Sequence, residues 1–301
     1  MLTIFAMPKP FTGHTGIIQR NAIESWTRLT PRPEVILIGD EEGTAELCAE
    51  LGLRHIPELE RNEFGTPVMS GFFAAATRGA THDLLCYVNA DLVLTAGLMD
   101  GLRSVTAHQH PFMLVGGRWG LQVDEPLDFD AVQWEDQLRV RATAEGQYSF
   151  WAIDYFAFTR GLLGDVPPFA VGRGFFDGWL IWRARARQGW VVDASPSVFA
   201  VHQNHDYGHL RSGGNSLWTS TEGERNFAYG GQRKYFFLLE STHQLTPQGL
   251  KPTPFRKQLY QVRTAFEKVV LYRLGPLRHA LGLRRSTLAG VRRRLASLGK
   301  G

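Results

Sequence analysis

Apolar runs alternate with amphipathic segments through the first half of the chain. Three unbroken apolar runs are typical of strands that are buried on both faces: residues 2–7, 35–38 and 84–91. The segments between them carry apolar residues at helical spacing, over residues 18–29, 45–51 and 67–78. This alternation predicts an α/β fold with a mostly parallel sheet and helices on both faces, with Pro67 in the first turn of its helix.

The second half is less regular and predicts shorter elements. Short strands are predicted at residues 112–115, 148–158, 190–192 and 197–201. A glycine-rich loop over residues 172–178 leads into a predicted helix over 179–187. Residues 120–147 are polar and predict an insertion or flap, and residues 208–231 have the Gly, Ser, Asn and Thr content of a mobile loop.

The charge of the chain is divided unevenly. Residues 251–301 contain 13 lysine and arginine residues and one acid, whereas residues 1–250 contain 20 basic and 28 acidic residues. In the basic segment, apolar residues recur at helical spacing over 255–270 and 288–298. Such a basic amphipathic tail either lies on an anionic membrane surface or packs on the domain with its charges in solvent. No nucleic-acid partner is expected, because nothing in residues 1–250 supports one.

The chain carries the features of a cytoplasmic protein. It begins directly with a strand-like run and no basic leader, so we expect no signal peptide. No apolar stretch has the length that spans a bilayer. Cys48 and Cys86 lie in apolar surroundings without metal-ligand or redox spacing, which fits a reducing compartment. Peripheral attachment at the inner face of the membrane is expected only through the basic tail.

The strand at residues 84–91 ends in Asn89, Ala90 and Asp91. In parallel sheets ligands bind outside the carboxyl ends of the strands, so the Asp91 carboxylate is expected to face a cleft. A carboxylate suits Mg²⁺ or Mn²⁺, and such ions usually bridge one or two carboxylates to a diphosphate. The alternative is an ordinary turn, because Asn and Asp are common where strands end.

Two further acids have both a functional and a structural interpretation. Asp40 ends a buried strand, where it could accept hydrogen bonds from a nucleoside or cap the helix that follows. Asp177 lies between the glycine-rich loop and a helix, where it could act as a general base or again as a helix cap.

Histidine and basic residues occur near the same predicted edge of the sheet. His202, His205, Asp206 and His209 follow a short strand, and imidazole can bind a divalent metal or a phosphate. Structural roles for these histidines are the alternative. Lys9, His14 and Arg20 follow the first strand, where they could offset the charge of a diphosphate or simply lie at the surface.

Several enzyme classes are excluded by missing motifs. No Gly-Lys-Ser/Thr phosphate loop is present, which argues against a P-loop ATPase. No Gly-x-Gly-x-x-Gly motif follows the first strand, which argues against a dinucleotide-binding dehydrogenase. Ser70 and Ser149 lack the surroundings of a hydrolase nucleophile.

Taken in order, four segments resemble the GT-A nucleotide-sugar glycosyltransferases, specifically the family 2-like group. They are residues 36–40, 87–91, 176–177 and 189–202. In that family the first ends in an acid that holds the nucleoside base, and the second is the Asp-x-Asp strand. The third is an acidic pair whose second member is the catalytic base, and the fourth ends in a histidine that binds metal or phosphate. The match covers roughly residues 1–210.

Two positions depart from the family pattern. Asn89 stands where the first acid of Asp-x-Asp is expected, and Asp91 keeps the place of the acid that touches the metal. Phe176 stands where the first acid of the acidic pair is expected, which suggests a more apolar acceptor site. Asp177, the expected base, is retained.

The resemblance implies a GT-A domain over residues 1–250, with a donor half at about 1–118 and an acceptor half at about 119–250, followed by the basic helical tail at 251–301. It implies Mg²⁺ or Mn²⁺ held by Asp91 and His202, and Asp177 as the catalytic base. Six residues are implied to bind the nucleotide sugar: Pro8, Lys9, Asp40, Asn89, Ala90 and Asp91. Three others are implied on the acceptor side or in a lid: Trp179, His205 and Tyr207.

The expected activity is an inverting, metal-dependent transfer of a sugar from a nucleotide diphosphate sugar, with UDP favoured, to an acceptor hydroxyl. The acceptor is expected to be a glycan or a lipid-linked molecule of surface-polysaccharide synthesis. One alternative is a nucleotidyltransferase that makes nucleotide sugars, although Pro8, Lys9 and Pro10 match its phosphate loop poorly. The other is a non-catalytic sugar- or nucleotide-binding protein, which Asn89 supports and the pairing of Asp91 with Asp177 opposes.

Overall fold

The computed structural model describes residues 1–205, 220–231, 234–255 and 257–262. The chain divides into two compact units, Met1–Pro254 and Phe255–Gly301. The described residues of the second unit are helical. The rest of the predicted tail lies outside the described residues.

Two sheets form the framework of the first unit. Its strands are β1 (Leu2–Ala6), β2 (Glu34–Ile38), β3 (Arg54–Ile56), β4 (Leu84–Val88), β5 (Leu92–Leu94), β6 (Phe112–Val115), β7 (Arg118–Leu121), β8 (Gln147–Ser149), β9 (Tyr155–Thr159), β10 (Trp190–Asp193), β11 (Ala200–Gln203), β12 (His243–Thr246) and β13 (Gly249–Pro252). The larger sheet has the order β13-β12-β10-β6-β9-β4-β1-β2-β3, and the smaller sheet has the order β5-β11-β7-β8.

Most neighbouring strands of the larger sheet are parallel, which confirms the predicted α/β class. β1 pairs with β2 and β4, β2 pairs with β3, and β10 pairs with β6 and β12, all in parallel. β9 lies between β4 and β6 and is antiparallel to both. The first residue of β9 therefore lies at the same edge of the sheet as the last residues of β4 and β6.

Helices cover both faces of this sheet and one face of the smaller sheet. They are α1 (Gly13–Thr27), α2 (Thr44–Leu51), α3 (Met69–Gly79), α4 (Gly97–Thr106), α5 (Trp134–Glu145), α6 (Phe176–Ala186) and α7 (Thr221–Gly230). Alternate residues of a strand face opposite sides, so Ile4 of β1 packs in one apolar core with α1, α2 and α4. Phe5 packs in a second core with α3 and α6. A third, smaller core lies under the second sheet and α5.

Three predicted element boundaries are corrected by the structure. Pro67 is not in the first turn of a helix, because it forms a β-bridge with Arg61 and α3 begins at Met69. Residues 120–147 are not simply a flap, because they contain α5, which buries only Leu138 and Ala142. Residues 148–158 do not form one strand, because β8 and β9 belong to different sheets.

Two corrections concern the site. The predicted loop over 172–178 is too long, because α6 begins at Phe176 and places Asp177 in its first turn. The prediction of a mobile loop over 208–231 is wrong for residues 221–230, which form α7 with Ser220 as its N-cap. The Ser220 hydroxyl accepts a hydrogen bond from the backbone N–H of Gly223, which satisfies a donor in the first turn.

Within the part of the chain that the structure describes, no helix is both long enough and apolar enough to span a membrane.

Candidate active site

One edge of the larger sheet gathers most of the residues that carry chemistry. Lys9 follows β1, Asp40 follows β2 and Asp91 follows β4, so all three lie beyond the carboxyl ends of parallel strands. Asp154 directly precedes the antiparallel β9 and reaches the same edge. The fold therefore brings acids from separate stretches of sequence to one side of the sheet.

Asp91 forms a cluster with two histidines. Nε2 of His205 lies 2.9 Å from Oδ2 of Asp91, and Nε2 of His202 lies 3.6 Å from the same oxygen. His202 is in β11 itself, not after it, and is fixed by the pairing of β11 with β5 and β7. The resemblance assigns His205 to the acceptor side or a lid, whereas the structure places its imidazole in contact with Asp91.

The cluster has the chemistry of a divalent metal site. One ligand atom from each of Asp91, His202 and His205 lies within 4.8 Å of the others. Oδ1 of Asp91 and Nδ1 of His202 are buried and have no hydrogen-bond partner among the described residues. Buried polar atoms normally have partners, so the unpartnered carboxylate oxygen of Asp91 fits a bound ion. One carboxylate and two imidazoles are ligands that first-row transition metals accept.

The electrostatics of the cluster keep Asp91 ionised. Burial acts to raise the pKa of Asp91, but the hydrogen bond from His205 and the charges of both histidines and Lys9 outweigh it. The resulting pKa lies below the ordinary value of an aspartate. Asp91 is therefore available as an anionic ligand at neutral pH.

Asn89 is held within the protein by two neighbours. Its side-chain oxygen accepts a hydrogen bond of 2.8 Å from the Tyr87 hydroxyl, and its side-chain nitrogen donates one of 2.8 Å to Oδ1 of Asp154. Oδ2 of Asp154 accepts a hydrogen bond of 2.8 Å from Nε of Arg118. Asn89 therefore connects the end of β4 to an ion pair that sequence reasoning did not identify.

Asp177 lies in the first turn of α6, and the pKa of its carboxyl group is raised. Burial raises its pKa above the ordinary value, and the negative charge of Asp154 raises it further. The backbone N–H of Gly178, its own N–H and a hydrogen bond from Tyr235 act in the opposite direction without cancelling the increase. A raised pKa near the operating pH is what a general base needs. Because α6 begins at Phe176, Asp177 is not its N-cap residue.

The backbone before Asp177 is strained. Phe175, the N-cap residue of α6, has a φ of +84°, a conformation that residues with a side chain rarely adopt. Such residues cost about 1–3 kcal/mol and persist only where their surroundings hold them. Here the Phe175 ring is held by edge-to-face contacts with Phe227 of α7 and with Tyr235.

Aromatic side chains extend from this point along one side of the site. The Tyr235 ring contacts Phe237, and Phe237 contacts Trp151, with ring centroids 4.8 and 5.4 Å apart. Trp151 is 39% exposed. We call Trp151, Phe175, Tyr235 and Phe237 the aromatic wall. Since Tyr235 also hydrogen-bonds Asp177, the wall begins at the candidate base.

Helix α7 fixes the loops around the site through two polar side chains. Asn226 is fully buried, and its amide bonds both backbone groups of Ala170 and the carbonyl of Gly174. Glu222 forms a 2.7 Å ion pair with Arg173 and accepts a hydrogen bond from Asn62. The loop that leads into α6 is thus tied to α7, and with it the position of Asp177.

The remaining predicted donor residues have varied surroundings. Lys9 lies close enough to Asp91 for its pKa to respond to that charge, although partial burial lowers the pKa more. Asp40 is exposed and forms a 3.2 Å ion pair with Arg61. Pro8 and Ala90 are buried. Arg20 forms an ion pair with Glu50, and His14 hydrogen-bonds the carbonyl of Val123, so both already have protein partners.

One predicted acceptor-side residue, Trp179, is buried away from this arrangement. Trp179 is 3% exposed and packs against Phe169 in the core, because its place in α6 turns it toward the sheet. Tyr207 lies outside the described residues, as do Asp206 and His209. Asp154 and Arg118 are additional site residues. In the sequence Asp154 follows an aromatic run and has no recognisable motif. Its hydrogen bond with Asn89 shows that it lies in the site.

Comparison with known proteins finds similarity in structure alone. No protein-family model and no curated protein sequence matches the chain. Among solved structures, the mannosyltransferase PcManGT from Pyrobaculum calidifontis, in complex with GDP-Man and Mn²⁺, matches with 16% identity and a TM-score of 0.43, covering 69% of this chain and 58% of that one. TarS 1-349 from S. aureus, in complex with UDP-GlcNAc, matches with 12% identity and a TM-score of 0.45, covering 70% and 61%.

PcManGT is a mannosyltransferase, and TarS is seen with a nucleotide sugar. The chain spans less than two thirds of the length of either structure. At such identities and TM-scores, the functional conclusion depends on the geometry of the site.

Proposed function

We propose that this protein is a glycosyltransferase that moves a sugar from a nucleotide diphosphate sugar to an acceptor hydroxyl with inversion at the anomeric carbon. The proposal rests on two buried carboxylates with different surroundings, those of Asp91 and Asp177. The Asp91 carboxylate is held ionised beside two histidines, and the Asp177 carboxylate has a raised pKa. The first suits a ligand for the donor, and the second suits a base.

In this proposal Asp177 accepts the proton of the acceptor hydroxyl. The acceptor oxygen forms a bond to the anomeric carbon, while the bond from that carbon to the diphosphate oxygen breaks. The departing nucleoside diphosphate keeps the bonding electrons. A single displacement of this kind inverts the configuration. Tyr235 orients the Asp177 carboxylate through its hydrogen bond, and Lys9 lies near Asp91 to offset negative charge.

Asp91, His202 and His205 are the proposed metal ligands. A bound Mn²⁺ or Mg²⁺ would supply Lewis-acid stabilisation of the charge on the leaving diphosphate. The two imidazoles favour Mn²⁺, because Mg²⁺ prefers a shell of oxygen atoms.

The aromatic wall supports an acceptor with an apolar face, such as a glycan ring or a lipid-linked sugar. Phe176 also supports an apolar acceptor, because this aromatic residue stands where the family pattern has an acid. Its ring lies 6.2 Å from that of Tyr87. Aromatic rings bury much apolar area and still leave a polar edge in contact with water. UDP as the preferred nucleotide, and surface-polysaccharide synthesis as the process, are parts of this proposal.

The basic segment at residues 251–301 supports an anionic membrane surface as a further partner. Its 13 lysine and arginine residues against one acid would attract anionic lipids at low salt. Sedimentation with vesicles of phosphatidylcholine, with and without phosphatidylserine, tests this part. Binding that requires phosphatidylserine and weakens with salt is expected, and equal sedimentation with both vesicle types would refute it.

The main experiment measures binding and turnover separately. Thermal unfolding is followed with UDP-, GDP-, dTDP- and CMP-sugars, each with and without Mn²⁺, on the wild type and on Asp91→Ala. A ligand that binds the native state raises the melting temperature. We expect a metal-dependent increase with one nucleotide class, absent from Asp91→Ala. Asp100→Ala is the matched control, because Asp100 is an exposed acid of α4 paired with Arg103.

Product analysis with the same donor then distinguishes the candidate activities. Release of nucleoside diphosphate, with the sugar transferred to the acceptor or to water, supports the transferase. Release of pyrophosphate from a nucleoside triphosphate and a sugar phosphate would instead indicate a nucleotidyltransferase. Binding without turnover would indicate a binding protein, and no nucleotide-dependent shift at millimolar concentration would contradict the proposal.

A further inference from the structure

The ion pair of Arg118 and Asp154 lies inside the candidate site but takes no part in the proposed chemistry. Their side chains are 15% and 13% exposed, so both charges are largely removed from water. Burying charges is costly unless they are paired and hydrogen-bonded. Here the pairing is complete on the Asp154 side, because its two carboxylate oxygens bind Asn89 and Arg118.

Asp154 lies beside the segment that leads to the Asp91 cluster. Its Oδ1 accepts a 2.8 Å hydrogen bond from the side chain of Asn89, which precedes Asp91 by two positions and is also held by the Tyr87 hydroxyl. Burial raises the pKa of Asp177, and the charge of Asp154 raises it further. The ion pair of Arg118 and Asp154 therefore lies close to the proposed donor ligand Asp91.

The guanidinium of Arg118 retains binding capacity. Among the described residues only Asp154 receives a hydrogen bond from it, through Nε, so its terminal nitrogens are available. Arg118 and Asn204 close in on Gly120: a Cβ atom there would lie 3.0 Å from Nη1 of Arg118 and 2.9 Å from Oδ1 of Asn204, so a larger residue would displace these side chains. Gly120 pairs with His202 across β7 and β11, which places Nη1 of Arg118 and Oδ1 of Asn204 near the Asp91 cluster.

We propose that Arg118 and Asp154, with Asn204 at the edge, form the subsite for the sugar of the donor, and that this subsite takes a neutral sugar. The inference rests on the proposed function. Hydroxyl groups can accept hydrogen bonds from the terminal nitrogens of Arg118 and donate to the oxygens of Asp154 and Asn204. A uronic acid is disfavoured, because the charge of Arg118 is already balanced by Asp154, while Asp91 and Asp177 add further negative charge nearby.

The test compares three probes for each of two nucleotides in the presence of Mn²⁺. The probes are UDP, UDP-glucose and UDP-glucuronic acid, and GDP, GDP-mannose and GDP-mannuronic acid. Dissociation constants are measured on the wild type, Arg118→Lys and Asp154→Asn. Arg103→Lys is the control, because it makes the same exchange at an exposed arginine of α4.

For the nucleotide that binds, we expect the wild type to prefer the neutral sugar over its uronic acid by about tenfold or more, as one charge-assisted hydrogen bond allows. In Arg118→Lys and Asp154→Asn the affinity for the neutral donor should approach that of the free nucleotide. Affinity for the free nucleotide should stay unchanged, which also shows that the variants are folded.

Three results would overturn the inference. Equal weakening of the free nucleotide would place Arg118 on the diphosphate instead. Preference for the uronic acid would assign the subsite to a charged sugar. Unchanged affinity for the neutral donor in both variants would remove the pair from sugar binding. In each case the nucleotide still binds and the proposed function stands, whereas failure of every probe on the wild type would refute both.

Discussion

Gly178 provides the space that the ring of Tyr235 occupies beside the candidate base. A Cβ atom at position 178 would lie 2.2 Å from Cδ2 of Tyr235, which no real contact allows. The backbone N–H of Phe236 donates a 3.0 Å hydrogen bond to the Gly178 carbonyl, so the Tyr235 segment follows the first turn of α6 closely. The hydrogen bond from Tyr235 to Asp177 depends on this close approach.

Replacing Gly178 by alanine should therefore reduce activity without unfolding the protein. Alanine favours a helix by about 1 kcal/mol over glycine, which offsets part of the cost of the clash. Displacement of Tyr235 should lower kcat by about tenfold to a hundredfold, because catalytic groups tolerate little misplacement. The measurement is kcat together with the melting temperature. Adding Tyr235→Ala to Gly178→Ala should cause little further loss, and two independent, additive losses would contradict this explanation.

Asp177→Asn should abolish sugar transfer and stabilise the protein at neutral pH. A general base contributes about 10²- to 10⁴-fold to the rate, so kcat should fall by that range. The pKa of Asp177 is raised in the folded state, so the wild type binds this proton more tightly when folded and loses stability as pH rises. The free energy of unfolding of Asp177→Asn should therefore exceed that of the wild type at pH 7, and the difference should shrink toward pH 4. A variant less stable than the wild type at pH 7 would contradict the burial of this charge.

Two neighbours should shift the pH dependence of kcat in opposite directions. Tyr235 lowers the pKa of Asp177, so Tyr235→Phe should move the acidic limb of the profile to higher pH. Asp154 raises that pKa through its charge, so Asp154→Asn should move the limb to lower pH. Profiles of kcat at saturating donor and acceptor test both. Shifts of the same sign in the two variants would show that another group controls the limb.

Asn226→Ala should destabilise the first unit and impair the site together. Three hydrogen bonds to Ala170 and Gly174 are lost in a fully buried place, which should lower the free energy of unfolding by about 1–3 kcal/mol. Urea unfolding measures the loss, and kcat shows whether the loop before Asp177 has moved. Gln248→Ala removes an exposed side chain and should change neither quantity. A fully stable, fully active Asn226→Ala would show that α7 does not hold this loop.

The two imidazoles beside Asp91 should make the protein prefer Mn²⁺ to Mg²⁺. Imidazole binds transition metals well, whereas Mg²⁺ favours oxygen ligands. Activity and melting temperature with the donor should therefore be higher in Mn²⁺ than in an equal concentration of Mg²⁺. His205→Ala should reduce this preference, while Asp91→Asn should remove the response to either ion. Equal responses to both ions in the wild type would argue against histidine ligation.

Local sequence patterns predict two residues of the candidate site. The buried run that leads to Asp91 and the acid at the start of a helix, Asp177, are both recognised from neighbouring residues. The parallel sheet is predicted from the alternation of apolar runs with helical segments. Asp154 could not be found in this way. Its role comes from the antiparallel pairing of β9 with β4, a contact between residues 65 positions apart.

Two helices were also missed for physical reasons. α5 buries only Leu138 and Ala142, so it has no continuous apolar stripe to detect. α7 is stabilised by polar anchors, Glu222 and Asn226, and its glycines at both ends resemble a loop. In both helices tertiary contacts contribute more than local helix preference does. A sequence pattern contains no information on those contacts.

Because β9 runs antiparallel to β4, Asp91 and Asp154 reach the same edge of the sheet from different stretches of the sequence. Asp91 follows the end of β4, whereas Asp154 directly precedes β9. Between them the chain makes a long excursion that includes β7, α5 and β8. Substitutions in that excursion can reshape the surroundings of Asp154 and Arg118 without disturbing the strand that carries Asp91. Under the proposed function, the sugar subsite can thus change while the residues around Asp91 stay in place, and that excursion is where such changes should accumulate.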